Sequence, residues 1–253
     1  MNLVIDVGNT TIVVAIFDKQ KLVKQFVKNN DFPRSEDEYF AYLKEFFKQI
    51  NFDVNQIDKI LYSSVCPEIN LAIKEAIARL TPVTIETMDS FKDDPIFSTI
   101  PSPHEIGDDL IADIYAGIKK YGCPLLIVDL GTASKVLFVN KDTRFVGCNI
   151  LPGLMLSTQS LSKNASLLPN IELKAPKTVL TTNTIDAMNT GLVYGHVDMV
   201  EGMIARYKKE TGIEDLKVVI TGGISRLLKP LMNKDYIYNM DLTIEGLNYL
   251  LGE

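Results

Sequence analysis

Three short stretches of this 253-residue sequence combine glycine with a carboxylate or hydroxyl in a way that could handle phosphate. Asp6-Val7-Gly8-Asn9-Thr10-Thr11 puts a carboxylate at the end of an apolar run, then a glycine through which backbone can approach a ligand, then amide and hydroxyl donors. That set suits a nucleotide phosphate held by main-chain N–H groups while the carboxylate manages a metal ion or its water. Taken alone, the stretch is also explained as a hairpin turn closed by Asx-type hydrogen bonds. A second Asp-x-Gly-Thr, Asp129 to Thr132, changes the balance, and Thr221-Gly222-Gly223-Ile224-Ser225 adds a third glycine turn. Together they could contact both ends of ATP. Neither G-x-x-x-x-G-K-[ST] nor G-x-G-x-x-G occurs, so no P-loop or Rossmann site competes.

The elements that must position these turns read as alternating strands and helices. Residues 2–7 and 11–17 are short, β-branched and apolar, and form a hairpin around Gly8-Asn9-Thr10. Residues 125–130 and 136–140 flank Gly131 to Ser134 in the same plan. Placing Asp6 on Asp129 also places Gly8 on Gly131, an offset of 123 residues that suggests a duplicated fold, against the alternative of chance. Ser35 to Glu38 fits a capping box that leads into an apolar face ending at Ile50. Pro67 opens a second helix to about Leu80, and a third runs from about Pro103 to Tyr121. Strands are expected at 57–63, 84–87 and 217–221. A Gly/Pro segment follows Asn140, then a polar stretch over 157–182, a helix over 184–209 and a short helix from Thr243. The boundary between halves falls near 115–125.

Composition removes several classes of function. With 46% hydrophobic and 23% charged residues the chain is a folded globular protein. Its net charge of −6 provides no global field for a polyanion, so nucleic acid is not expected as a partner. Only five of the 26 basic residues are Arg, so an anionic ligand must lean on backbone N–H groups. Cys66, Cys123 and Cys148 are odd in number and lack C-x-x-C spacing, which fits a reducing cytoplasm better than a disulfide frame or zinc cage. No signal peptide or apolar run of ~18 residues is found, so no membrane span is expected. His104 and His196 read as structural.

In this order and at these separations, DVGNT (6–10), RSEDEY (34–39), SSVCPE (63–68), EIGDDLIAD (105–113), VDLGTAS (128–134), LPG (151–153), TTNTIDAMNTGLVYG (181–195) and TGGIS (221–225) resemble the type III pantothenate kinases. These kinases lie within the acetate kinase/sugar kinase/Hsp70/actin superfamily. The resemblance implies an α/β fold of two duplicated ribonuclease H-like (actin-like ATPase) domains, here 1–118 and 119–253, with an interdomain cleft. It implies ATP- and Mg²⁺-dependent phosphorylation of pantothenate, the first step toward coenzyme A, by a cytoplasmic homodimer. Asp6, Val7, Gly8, Asn9, Thr10, Thr11, Ile12 and Val13 would hold the ATP phosphates, with Asp6 facing the Mg²⁺ indirectly. Thr132, Gly222 and Gly223 would meet the nucleotide. Gly107, Asp108, Asp109 and Leu110 would line the pantothenate pocket, with Asp109 as base, and Thr184 would reach substrate from the neighbouring subunit. Asp129 would coordinate a monovalent cation, K⁺ or NH₄⁺.

The chain departs from the family pattern around the acceptor. Gly-Ala-Asp-Arg followed by Ile-Ala-Asn is replaced by Gly107-Asp108-Asp109-Leu110-Ile111-Ala112-Asp113. A Tyr is replaced by Ile100 and, in the second hairpin, a Thr by Lys135. Losing an Arg and gaining two Asp would weaken a pocket for an anion, because an unpaired buried charge costs several kcal/mol in order of magnitude. Lys135 restores one positive charge if it reaches the same cleft. Asp109 and Asp113, one helical turn apart, would raise each other's basicity if both line that cleft. Two alternatives follow from these changes: a kinase with a less anionic acceptor, and a regulator that keeps nucleotide binding without turnover.

Overall fold

The computed structural model describes residues 1–30 and 34–252. It divides into two units: Met1–Lys120 together with the segment from Asp241 on, and Tyr121–Met240. The sequence reading placed the whole C-terminal segment in the second half. The difference lies in the last helix.

In the first unit the elements are β1 (Asn2–Val7), β2 (Thr11–Asp18), β3 (Lys21–Asn29), α1 (Glu36–Gln49), β4 (Lys59–Ser64), α2 (Pro67–Leu80), β5 (Ile85–Thr87) and α3 (Asp108–Tyr121). The sheet order is β3-β2-β1-β4-β5. β1–β2 and β2–β3 are antiparallel, whereas β1–β4 and β4–β5 are parallel. Successive strand residues face opposite sides, so Leu3, Ile5 and Val7 share one face and pack with Phe46 and Phe47 of α1 and Ile69 and Ile73 of α2. Asn2, Val4 and Asp6 share the other. The capping box at Ser35 forms as expected, and Ser35 and Glu38 exchange hydrogen bonds at the start of α1.

The second unit contains β6 (Leu125–Leu130), β7 (Ala133–Val139), β8 (Phe145–Pro152), α4 (Leu154–Asn164), α5 (Thr184–Thr211), β9 (Lys217–Thr221), α6 (Ser225–Leu228) and β10 (Ile237–Tyr238). Its sheet order, β8-β7-β6-β9-β10, and its strand directions repeat those of the first. Asp129 thereby occupies in β6 the place that Asp6 occupies in β1. Leu126, Val128 and Leu130 face Val193, Val197 and Val200 of α5.

The final helix, α7 (Leu242–Leu250), belongs to the first unit for a packing reason. Leu242, Ile244 and Leu247 are buried, and a Cβ on Gly246 would lie 1.9 Å from the Ala112 carbonyl oxygen, so only glycine lets α7 approach α3 this closely. Asn248 adds a hydrogen bond from Asn2.

Several elements escaped the sequence reading. β3 carries Lys at positions 21, 24 and 28 and lies at a sheet edge, where charge disguises a strand. β8 and α4 occupy the Gly/Pro segment and the start of the polar stretch. α3 begins at Asp108 rather than Pro103, because Gly107 supplies the first helical carbonyl to Leu110 and Ile111.

Candidate active site

The first unit gathers its chemical groups at the carboxyl ends of the parallel strands β1 and β4, where open α/β sheets bind ligands. Gly8 N–H bonds the Thr11 carbonyl at 2.9 Å, closing the hairpin, and Asn9 and Thr10 are exposed at its tip. Asn30 braces the turn from behind, its Nδ2 donating to the Gly8 carbonyl at 2.8 Å. The Cys66 thiol lies against the same carbonyl; burial and nearby Glu68 push it above the usual thiol range, so it packs and does not attack. Asp6 accepts from the Ser63 hydroxyl at 2.8 Å, a neutral donor.

Ser64, the next residue of β4, links this hairpin to α3. Its N–H points at Asp108 Oδ2 at 3.3 Å. Asp108 Oδ1 pairs with Lys92 Nζ at 3.1 Å, and both side chains are largely shielded from solvent. Asp109 sits in the first turn of α3, where the helix dipole favours negative charge, and accepts from the Leu110 N–H at 2.9 Å. A Cβ on Gly107 would stand 2.6 Å from Asp109 Oδ1, so the missing side chain leaves room for that carboxylate. The hairpin, Gly107, Asp108 and Asp109 thus come together within one unit.

The structure changes the meaning of the acceptor-loop departures. The extra charge of Asp108 is met by Lys92, sixteen positions upstream, which the sequence reading did not single out. Asp113 is 1% exposed and accepts from Thr243 of α7 at 2.7 Å. It fastens the terminal helix, so it does not act beside Asp109 as the second carboxylate of a pair. Leu110 is buried. Lys135 serves its own unit: its Nζ lies 2.9 Å from Asp129 Oδ2.

In the second unit Gly131-Thr132 forms a turn one residue shorter than Gly8-Asn9-Thr10. Gly153, at the start of α4, packs directly on it, and a Cβ there would lie 2.1 Å from the Thr132 carbonyl oxygen. Gly222 has φ +86°, a left-handed conformation suited to glycine, and a Cβ would overlap the Leu130 backbone and Asp129 Oδ1. Beside Gly223, by contrast, a Cβ would meet nothing within 4 Å. Ser134 is buried with its hydroxyl 3.0 Å from His196 Nε2, and burial holds that imidazole below its usual range and therefore neutral. Thr184 lies exposed at the start of α5, where the Asn183 side chain caps the helix. One apolar cavity, lined by Ile5, Val14, Phe26, Tyr39 and Phe46 among others, opens on the Ile5 face of the first sheet, away from Asp6.

A family model described as type III pantothenate kinase matches residues 2–206. The chain is 36% identical to a type III pantothenate kinase of Exiguobacterium sp. over 252 residues, covering 99% of this chain and 98% of that protein. It is 34% identical over 251 residues to one of Agathobacter rectalis, covering 98% and 95%. The chain belongs to the type III pantothenate kinase family.

The fold agrees with that placement. A conserved putative Baf family transcriptional activator from Campylobacter jejuni is similar at a TM-score of 0.62 and 20% identity, covering 98% of this chain and 96% of that one. MreB 5 of Spiroplasma citri bound to AMPPNP is similar at a TM-score of 0.53 and 9% identity, covering 98% and 95%. The Asp6 hairpin offers an exposed tip with backbone donors, and the space beside Gly223 is open. Among the described residues no group of three or more His, Cys, Asp or Glu could hold a metal ion. The fit to a monovalent cation at Asp129 is poor, since Lys135 already lies on that carboxylate.

Proposed function

We propose that this kinase phosphorylates the primary hydroxyl of pantothenate with ATP through the groups assembled at the ends of β1 and β4. Its activity is that of its family: ATP-dependent phosphotransfer to an alcohol, the entry to coenzyme A biosynthesis. The observation that carries the residue assignment is the continuous link Asp6–Ser63–Ser64–Asp108, which ties the hairpin to the helix bearing Asp109. Phosphoryl transfer asks a protein for positioning and charge neutralisation more than for covalent chemistry.

In this reading Asp6 to Val13 hold the phosphates, and Asp6 faces the Mg²⁺ that neutralises them. Thr132, Gly222 and Gly223 meet the nucleotide. Gly107 to Leu110 line the acceptor site, and Asp109 takes the proton of the attacking hydroxyl. Pairing of Asp108 with Lys92 and withdrawal of Asp113 under α7 remove the excess negative charge that would have favoured a cationic acceptor or a decayed site. The kinase works in the cytoplasm, consistent with three free cysteines and, among the described residues, no helix long and apolar enough to cross a membrane.

A homodimer in which Thr184 reaches the partner's substrate is supported by large apolar side chains left exposed in the same unit, among them Leu167, Val179, Leu180 and Ile185. One assay tests both parts. With ATP, Mg²⁺ and pantothenate, the native chain yields phosphopantothenate by mass spectrometry, and Asp109→Asn loses about 10²–10⁴-fold in rate while still binding ATP. Mixing and reassembling Asp109→Asn with an impaired Thr184→Val chain restores activity, because one composite site is then intact. An Asp109→Asn variant at native rate would remove the base assignment. Failure of the mixture to recover would remove Thr184 from the neighbouring site.

A further inference from the structure

Asp129 and Lys135 are register partners across the β6–β7 ladder. Their side chains leave the strands on the same face, and the ammonium meets Oδ2 at 2.9 Å. The carboxylate is 13% exposed and the lysine side chain 18%. Gly222 closes on the other carboxylate oxygen, since a Cβ there would fall 2.6 Å from Oδ1. Ser134, the preceding residue of β7, turns to the opposite face and meets His196, which fixes the strand at the point from which Lys135 projects. A cation coordinated through Asp129 would share the carboxylate with an ammonium already in place, and the two positive charges would repel.

We propose that Lys135 is the resident cation of this kinase: its ammonium supplies at Asp129 the single positive charge that the family resemblance assigns to K⁺ or NH₄⁺. Turnover is therefore independent of monovalent salt. Lysine suits the task because its charge is compact, like that of the ions it replaces, and its reach across the strand pair needs no loop rearrangement. Lys135 acts through Asp129 as a positioning residue for the second hairpin. The inference rests on the assignment of that hairpin to the nucleotide.

Initial rates measured in KCl, NaCl and choline chloride at equal ionic strength, with Mg²⁺ constant, test it on the native chain. The rates agree within twofold if Lys135 is the cation; a tenfold rise with K⁺ overturns the proposal. Lys135→Thr loses at least tenfold in choline and recovers in K⁺. With ATP bound it also gains a K⁺-dependent rise in thermal midpoint that the native chain lacks. A Lys135→Thr chain as active in choline as the native one overturns the proposal as well, and if this variant does not fold, the native comparison decides. If the native chain makes no phosphopantothenate in any salt, the functional assignment fails, and the affinity for a fluorescent ATP analogue in the same salts decides the cation question. Equal affinity in K⁺ and choline supports Lys135 as the cation, and tenfold tighter binding in K⁺ overturns it.

Discussion

Asp6 in β1 stands opposite Val13 and takes a hydrogen bond from the Ser63 hydroxyl, whereas Asp129, its counterpart in β6, stands opposite Lys135 and takes an ammonium. The two sheets share one strand order and one set of directions, so the contrast comes from what surrounds each carboxylate. The first turn has an exposed tip. The second also exposes Thr132, but Gly153 packs on its backbone. The Ser63 hydroxyl brings no charge to Asp6, whereas the Lys135 ammonium neutralises Asp129 where it stands and organises the turn beside it. The two units thus carry two copies of one motif in different surroundings, and in the proposed function it is the first that meets the ligand's charge.

The glycines give the largest test of this contrast. A Cβ on Gly153 would fall on the Thr132 backbone oxygen at 2.1 Å, so Gly153→Ala must displace the turn, at a cost of about 1–3 kcal/mol by analogy with overpacking. For a chain this long that lowers the thermal midpoint by roughly 2–4 °C per kcal/mol. A Cβ on Gly8 would lie 3.3 Å from the Thr11 oxygen, a contact that a small shift relieves. Gly8→Ala therefore leaves the midpoint nearly unchanged and raises KM for ATP, because it blocks the approach of phosphate to backbone. Equal destabilisation by the two alanines would break the contrast.

A smaller effect separates the turns by pH. His196 is buried against Ser134 and stays neutral, with its pKa held below the ordinary value of about 6.5. Beside the first turn the counterpart of Ser134 is Ile12, whose side chain has no hydroxyl to pair with an imidazole. Below pH of about 6.5 the unfolded chain binds a proton at His196 that the folded chain refuses, so stability is full above that pH and is lost as pH falls toward the lowered folded value. The slope from this residue is at most about 1.4 kcal/mol per pH unit. Urea titrations between pH 7 and 5 should show a steeper loss for the native chain than for His196→Gln. Parallel curves would remove His196 from the account.

Much of this arrangement is legible in the residues because the physics is local. Short, β-branched apolar runs around Asp-x-Gly announce both hairpins, Ser35 with Glu38 announces α1, and the offset of Asp6 and Asp129 suggests the duplication. What is not legible depends on distant partners or on one-residue changes of register. The offset of 123 that superposes the two Asp residues would place Val136 where Val13 stands. The shorter second turn moves Lys135 there instead, and only the strand pairing reveals it. Lys92 reaches Asp108 from a loop, and Thr243 reaches Asp113 from the last helix; neither carries a motif. The acceptor loop therefore looks too acidic until those partners are in view.

The most direct test of the division between the two carboxylates is the thermal midpoint of Asp6→Asn and Asp129→Asn, measured side by side without nucleotide. In Asp6→Asn the amide oxygen still accepts from Ser63, and the midpoint should stay within about 2 °C of native, an equivalent of under roughly 1 kcal/mol. Asp129→Asn takes the counter-charge from a largely shielded Lys135 and should lose several degrees, about 1–3 kcal/mol. Equal losses, or a larger loss at Asp6, would contradict the claim that Lys135 is the counter-charge on which the second carboxylate depends.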